Sequence, residues 1–492
     1  MNSAANALLV KGGILFDVGR PVETGDILVR DGRIVEIAPT IEGRDATLFD
    51  ARGKIVMPGF VNAHTHSNQA LEKGLCDKYP LDAWMVIASY GGQNAELSPR
   101  ELYVSAMIGA IEMIRTGSTA VLDMPRIPLN AFDASVDAIM QAYADSGMRA
   151  GVAASYTDLN FAASLPLELV PDLSEQLKPA PMASHQQIMG SLESFIARWK
   201  GRHPRVQPML GPSSLPRCST ELFEASVALA HGKGVGLQTH LLSGKAQVMI
   251  GRKRYGGSTA RFLERIGALA DGMSFAHSIW LDDEEVKIMA RSDAVVVHNP
   301  VSNMKLGAGR APIPMLKRAG GKIALGSDGA SSADGQNMFE TIKGAAIAHR
   351  PSHEQEDWIQ AGEALEMCWR GGGAALRQPI GRLEAGHHAD LTVLHTRSLF
   401  VAPWDQLAGQ IVHSELGGSV DSVIIGGDVA LENGRFTSID EAEIHREAQE
   451  IVNRLYAGLP ERMARFEAVR PLFRELERQV HRTPLHFTRY CQ

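Results

Sequence analysis

Cysteine is scarce in this 492-residue chain, and the four present form no pattern. Cys76, Cys218, Cys368 and Cys491 lie far apart and no CxxC pair occurs, which argues against a disulfide framework and a thiolate zinc site. The HxE and PCxxC signature of the zinc deaminases that act on nucleobases is missing too. No uninterrupted apolar run approaches the ~18 residues needed to span a bilayer. The opening stretch MNSAANALLVKGGILFDVG has no basic segment followed by an apolar one, so no secretory leader is expected, and the location expected is cytoplasmic. Positive charge is in deficit: 49 Lys and Arg against 56 Asp and Glu leave a net −7. Neither nucleic acid nor a membrane is therefore an expected partner. What is present is 45% hydrophobic and 21% charged, a globular-enzyme composition with apolar material for one large domain and a smaller one.

Residues 7–56 alternate apolar and polar in short runs. LLVKGGILF is predicted to turn at Gly12-Gly13 and ILVRDGRIVEI at Asp31-Gly32, because such pairs accept φ > 0. From Pro58 to about residue 374 short apolar runs (GSTAVLDM, MRAGVAAS, VQPMLGP, VGLQTHL, MSFAHSI, AVVVHNP, KIALGSDG) alternate with helical stretches such as SPRELYVSAMIGAIEMIRTG. With the run before His64 there are eight strands, so the fold expected is α/β, a (β/α)8 TIM barrel. After about residue 380 hairpins return, with turns at Gly426-Gly427 and Asn433-Gly434. The expected organisation is a composite β-sandwich from residues 1–58 and 375–437, a barrel over 59–374, and a helical extension over 438–492. Ser438 to Glu441 reads as a capping box. In the extension Arg470, Arg474 and Arg478 mark a solvated or subunit-contacting face, and a homo-oligomer, dimer or tetramer, is expected.

His64 and His66 end an apolar run two residues apart, so on a strand both imidazoles can face one side and share a metal. His240 ends VGLQTH, His277 ends MSFAH and Asp328 ends KIALGSD. Each falls at the C-terminal end of a predicted barrel strand, where this architecture builds its active sites. Imidazoles with one carboxylate suit zinc, with iron, cobalt or manganese as alternatives.

From MPGFVNAHTH through HSIWL and HNPVSNMKLG to GSDGASSADGQNMFE and GRLEAGHHADLTVL, nearly the whole chain resembles the amidohydrolase superfamily, in its cytosine-deaminase-like and triazine-chlorohydrolase-like branch. The resemblance implies metal ligands at His64, His66, His240 and Asp328, and a His277 that contacts the bound water or substrate. No lysine follows the fourth strand, where VQPMLGPSS stands, so a bridging carboxylated lysine is missing and one divalent metal ion per chain, zinc foremost, is expected. Asp328 can ligate the metal and accept the water's proton, and His277 can hydrogen-bond the nucleophile or the oxyanion that forms. The catalytic pair expected is Asp328 and His277.

Two positions depart from the family pattern. Ser243 stands where the deaminases carry a glutamate three residues after the strand-five histidine, and Ser213 stands where a histidine commonly follows the strand-four proline. A positioned acid or base contributes ~10²–10⁴-fold in rate. Three readings of Ser243 stand together: another group moves the proton, the leaving group needs none, or the chain is an impaired variant. The function expected is hydrolysis of a C–N bond in a nitrogen heterocycle. The alternatives are an amide, urea or aryl-chloride hydrolase, and a metal-binding homologue with impaired catalysis. The substrate is a small molecule, with Ser243, Gln69, Trp84, Ser213 and Asn303 as candidate contacts. His298 and Asn299 are either strand-end polar residues or supports for the site. Trp84 and Trp280 are expected in packing, Cys218 in the core and His387-His388 at the surface.

Overall fold

The computed structural model of the protein describes residues 7–43, 45–90, 97–177, 182–398 and 406–490; Cys491 lies outside them. Strands β1 (Ala7–Leu15), β2 (Glu23–Arg30), β3 (Arg33–Ala38), β4 (Thr47–Asp50) and β5 (Lys54–Pro58) come first. Eight parallel strands follow: β6 (Phe60–Thr65), β7 (Ser118–Asp123), β8 (Arg149–Tyr156), β9 (Val206–Pro212), β10 (Leu237–Leu241), β11 (Met273–His277), β12 (Val295–His298) and β13 (Lys322–Leu325). They pair in sequence order with helices between them, as a (β/α)8 barrel requires. The seam between β13 and β6 is closed by Asp328 N donating to His64 O at 2.9 Å and Ser327 N donating to Asn62 Oδ1 at 3.0 Å. The interior is filled by small and medium side chains, among them Val61, Ala63, Ala120, Leu122, Ala153, Val297 and Ala324.

The outer helices form where apolar spacing meets good end signals. Helix Pro99–Arg115 starts with a capping box, Ser98 accepting from Glu101 N while Glu101 accepts from Ser98 N, and has proline in its first turn. Leu102, Ala106, Met113 and Ile114 are on its buried face, and each fully buried large aliphatic side chain contributes ~1.5–3 kcal/mol.

The chain returns with β14 (Leu391–His395), β15 (Val420–Ile425), β16 (Asp428–Glu432) and β17 (Arg435–Phe436). Both ends build one nine-stranded sheet, in which Leu15 pairs with Val56 and Val56 with Val393. It is one continuous hydrogen-bonded sheet that folds back on itself, since Ile34 N donates to His387 O and Gly386 N to Ile34 O. Leu8, Val29, Ile34, Val56, Val393 and Ile424 fill the core thus enclosed. His387 and His388 are therefore half-buried at this closure, not simply on the surface. The turns at Asp31-Gly32, Gly426-Gly427 and Asn433-Gly434 all have positive φ, as expected. Gly12-Gly13 is no turn: β1 runs straight through it with a bulge between Val10 and Gly13, because Gly13 continues the pairing with β2. The first helix of the extension, Glu441–Ala457, is capped by Asp440, whose carboxylate accepts from Glu443 N; the Ser438 capping box is not formed. The second, Leu459–Arg482, packs Phe473, Leu476 and Val480 against Ala83, Val86 and Ile87 of helix Leu81–Tyr90 at the barrel mouth. Arg470 and Arg478 pair with Glu467 and Glu475 on its solvated face. No described helix is long and apolar enough to cross a membrane.

Candidate active site

The strand-end residues meet at the C-terminal mouth, but strand alternation alone would not have brought them there. Val61 and Ala63 face the barrel interior, so strict alternation would turn His64 and His66 outward. An extra residue sits in β6 between Asn62 and Thr65, which pair with Val121 and Asp123, and this bulge reverses the alternation. His277 has the outward parity of Met273 and Phe275, yet its φ of 71° swings it into the mouth. Leu242, Ser278 and Asp328 have positive φ as well (46°, 49° and 67°), so strained backbone is concentrated at the mouth. Gly326 and Gly329 flank the aspartate because the chain passes too close for a side chain. A Cβ at Gly326 would lie 2.7 Å from His64 Cβ, and one at Gly329 would overlap the Gln69 amide.

Each of the three candidate ligand histidines spends Nδ1 on a protein acceptor. His64 Nδ1 donates to Gln238 Oε1 at 2.8 Å, His66 Nδ1 to Met124 O at 2.6 Å and His240 Nδ1 to Ser213 O at 2.5 Å. That leaves the Nε2 atoms aimed at one point. His66 Nε2 is 3.2 Å and His64 Nε2 3.6 Å from Asp328 Oδ1, and His240 Nε2 is 3.3 Å from His66 Nε2. His64 Nε2 is buried with no hydrogen-bond partner. The donors of His64, His66 and His240 lie within 4.8 Å of one another, and so do those of His64, His277 and Asp328. Buried nitrogen lone pairs converging beside a carboxylate fit a divalent cation, with backbone and amide acceptors fixing the tautomers as ligand supports do.

The electrostatics agree with that fit. Burial, aided by neighbouring imidazoles, holds His64 well below the ordinary histidine range and brings His240 down to about 3, so both present neutral imidazoles of the kind a metal ion binds. Burial opposes ionisation of Asp328, but the hydrogen bond from His66 and the imidazoles of His277, His66 and His64 around it keep its carboxyl well below the usual range. Burial likewise opposes protonation of His66, yet the hydrogen bond to Asp328 and that carboxylate's charge raise it. Asp328 is further fixed by Ser302 Oγ donating to Oδ2 at 2.5 Å and Gly329 N donating to Oδ1 at 2.8 Å. His277 Nδ1 lies 2.8 Å from Asn303 Oδ1 and 3.3 Å from Asn299 Nδ2. The shorter contact assigns Nδ1–H to Asn303 and leaves Nε2, 3.9 Å from Asp328 Oδ2, as an acceptor.

A cavity of about 610 Å³ opens above these groups. His66, His240, His277 and Asp328 lie at its floor, and Leu81, Trp84, Met85, Ile127 and Phe161 supply apolar walls. Of the expected substrate contacts, Ser243, Gln69, Trp84 and Ser213 line it. Asn303 does not; its Oδ1 accepts from His277 Nδ1. Trp280 is packed away from the cavity against Phe487 and Tyr490, with Nε1 donating to Ala308 O. Sequence reasoning missed Gln238, Ser302, Arg126, Arg217 and Gln247. Gln238 was within reach, since it precedes His240 by two and must share its face. Arg126, after β7, and Arg217, ending the short 3-10 turn Leu215–Arg217, lie far apart in the chain and carry no local signal.

The description "amidohydrolase family" matches residues 55–430, so this chain belongs to that family and is a hydrolytic enzyme. It is 29% identical over 437 residues, 89% of this chain and 94% of the other, to a 5'-deoxyadenosine deaminase of Methanosarcina acetivorans. It is 30% identical over 426 residues, 86% of this chain and 94% of the other, to a 5-methylthioadenosine/S-adenosylhomocysteine deaminase of Thermococcus kodakarensis. Among solved structures it is similar to the zinc-complexed atrazine chlorohydrolase of Arthrobacter aurescens, with TM-score 0.80, 25% identity, and 90% of this chain and 100% of that one covered.

Proposed function

We propose that this chain hydrolyses the exocyclic C–N bond of an aminated nitrogen heterocycle, releasing ammonia, with one zinc ion held by His64, His66, His240 and Asp328. The observation that carries the reading is the convergence of three imidazole Nε2 atoms and the Asp328 carboxylate on the floor of a largely apolar cavity. The deaminase names of relatives covering most of the chain support an adenine-type heterocycle. When bound, the ion would lower the pKa of a coordinated water toward ~7. His277 Nε2, kept as an acceptor by Asn303, takes a hydrogen bond from the attacking water and hands a proton on. Ser302 holds Asp328 Oδ2 so that the carboxylate keeps its orientation as charge develops. Apolar walls seat the ring and exclude bulk water.

A second reading has its own observation. Asp328 is the single carboxylate among the described lining residues, and Ser243 stands in the wall where a proton-moving glutamate would be. A chloride leaving group needs no proton, so an aryl chloride would tolerate this wall. The test is the zinc-loaded protein with 5'-deoxyadenosine, a chlorotriazine and an aryl urea, reading ammonia, chloride and amine separately. Ammonia from the nucleoside is the expected result; chloride release alone would overturn the deaminase reading.

A further inference from the structure

Behind His277 the barrel contains a second group of histidines that the metal site does not use. His298, the last residue of β12, is 2% exposed, and both of its ring nitrogens are buried without a partner. His349, also 2% exposed, follows helix Met338–Ile347, and its two ring nitrogens are equally unpartnered. Their ring centroids are 5.7 Å apart. His349 in turn faces His353 at 5.5 Å. His353 is half-exposed, with Nδ1 3.1 Å from His349 O. At the inner end, Asn303 Oδ1 holds the His277 ring, Asn299 Nδ2 lies 3.3 Å from the same ring nitrogen, and Asn299 Oδ1 and Asn303 Nδ2 are buried without a partner. Six unmatched polar atoms thus occur between the active-site histidine and a half-exposed one.

Buried polar groups of native proteins are almost always hydrogen-bonded, to protein or to ordered water. A metal is a poor account of this group: among the described residues, sets of three such donors within 4.8 Å occur only at the mouth. Nor is it an ion-pair network. Among the described residues the cation bearing on it is Arg310, which acts on His349 and donates to Ala348 O, and none of the described carboxylates acts on His298 or His349. Water is the filling that supplies both donors and acceptors. A neutral imidazole between waters accepts a proton on one nitrogen and releases one from the other. We propose that His298, His349 and His353, with ordered water, form a proton path between bulk solvent and the His277 side of the active site. The proposal rests on the hydrolytic reading above, whose proton transfers such a path would serve. Water forms the new C–O bond and gives up one proton to the amine as the C–N bond breaks; the ammonia formed takes up one further proton, drawn from solvent, to become ammonium. Ser243 offers no carboxylate to carry that proton through the mouth, whereas the histidine line reaches solvent from the other side.

The test uses zinc-loaded His349→Phe, which keeps an aromatic ring but interrupts the line, and His349→Gln, which keeps hydrogen bonds to water but cannot relay. With 5'-deoxyadenosine both variants should lose kcat by roughly tenfold, less than the ~10²–10⁴ of a directly acting acid or base. KM and zinc content should stay unchanged, and the solvent deuterium isotope effect on kcat should rise. Added imidazole should restore turnover in His349→Ala. An unchanged kcat and isotope effect, or a kcat that falls only together with zinc content, overturns the proposal. A high-resolution crystal structure of the parent reads it independently of turnover: waters bridging the His298, His349 and His353 rings are expected, and dry rings reject it. If no substrate reacts, the function proposed above fails while the crystal structure still decides whether the water line exists.

Discussion

Two buried ionic clusters stand at opposite ends of the same barrel, and they differ in how completely they are satisfied. At the bottom, Arg149 at the start of β8 meets Asp390 just before β14, with Nε to Oδ2 at 2.7 Å and Nη2 to Oδ1 at 3.0 Å. Gly426 N donates to the same carboxylate, and the two side chains are 3% and 1% exposed. The fork-to-carboxylate geometry is complete, and it ties barrel to composite sheet. At the mouth, Asp328 is surrounded by imidazoles, His64 Nε2 has no partner, and the backbone of His277 and Asp328 is strained. A charge cluster that closes on itself holds the fold; one that leaves lone pairs aimed at a point, at the cost of backbone strain, is a place for chemistry.

The mouth should depend wholly on its donors. His64→Ala or His240→Ala should lose most of the bound zinc and bring activity to background while the chain stays folded. Full zinc occupancy by elemental analysis would remove these residues from the ligand set, and two equivalents in fully active protein would remove the single-ion assignment. Next in size is Ser243→Glu, which adds a second carboxylate to the cavity wall. Turnover of an aminated heterocycle should rise, by up to ~10²–10⁴-fold where geometry allows. A flat response with both aminated and chlorinated substrates would mean that Ser243 does not reach the reacting centre.

At the bottom, Arg149→Ala should destabilise the fold by about 3–5 kcal/mol, because it strands the Asp390 charge, with zinc content and KM unchanged. Arg149→Met with Asp390→Leu should recover much of that loss in denaturant titrations. Activity lost in proportion to stability at both ends would erase the distinction between them. Smaller effects belong to the supports: Gln238→Leu should weaken zinc binding and Asn303→Ala should lower kcat, each by ~10–100-fold. The smallest is a pH effect of opposite sign in the two states. In the metal-free protein His66 is raised, so its contribution to stability is full below its ordinary value of 6.5 and fades as pH rises through the raised value. Zinc must displace that proton, so uptake strengthens as pH rises. Melting curves at pH 6 and pH 8 with and without zinc should diverge accordingly, and parallel curves would show that His66 holds no proton in the metal-free site.

The barrel could be read from the chain because its signals are local. A run such as AVVVHNP predicts a strand by its own composition, the polar residue at its end predicts the mouth, and Asp31-Gly32 or Asn433-Gly434 carry their turns in two residues. The joining of both chain ends was also legible, since each half alone leaves hairpins with an uncovered face. Gly12-Gly13 was misread because bulge and turn use the same backbone freedom, and only the partner strand decides between them. The inward aim of His64, His66 and His277 was likewise undecided in the sequence. It depends on an extra residue in the β6–β7 register and on left-handed backbone at His277, both set by neighbouring strands distant in the chain. The residue types at the strand ends were determined by the sequence and their convergence by packing, because alternation is a local property whereas the register that redirects it is a contact between strands.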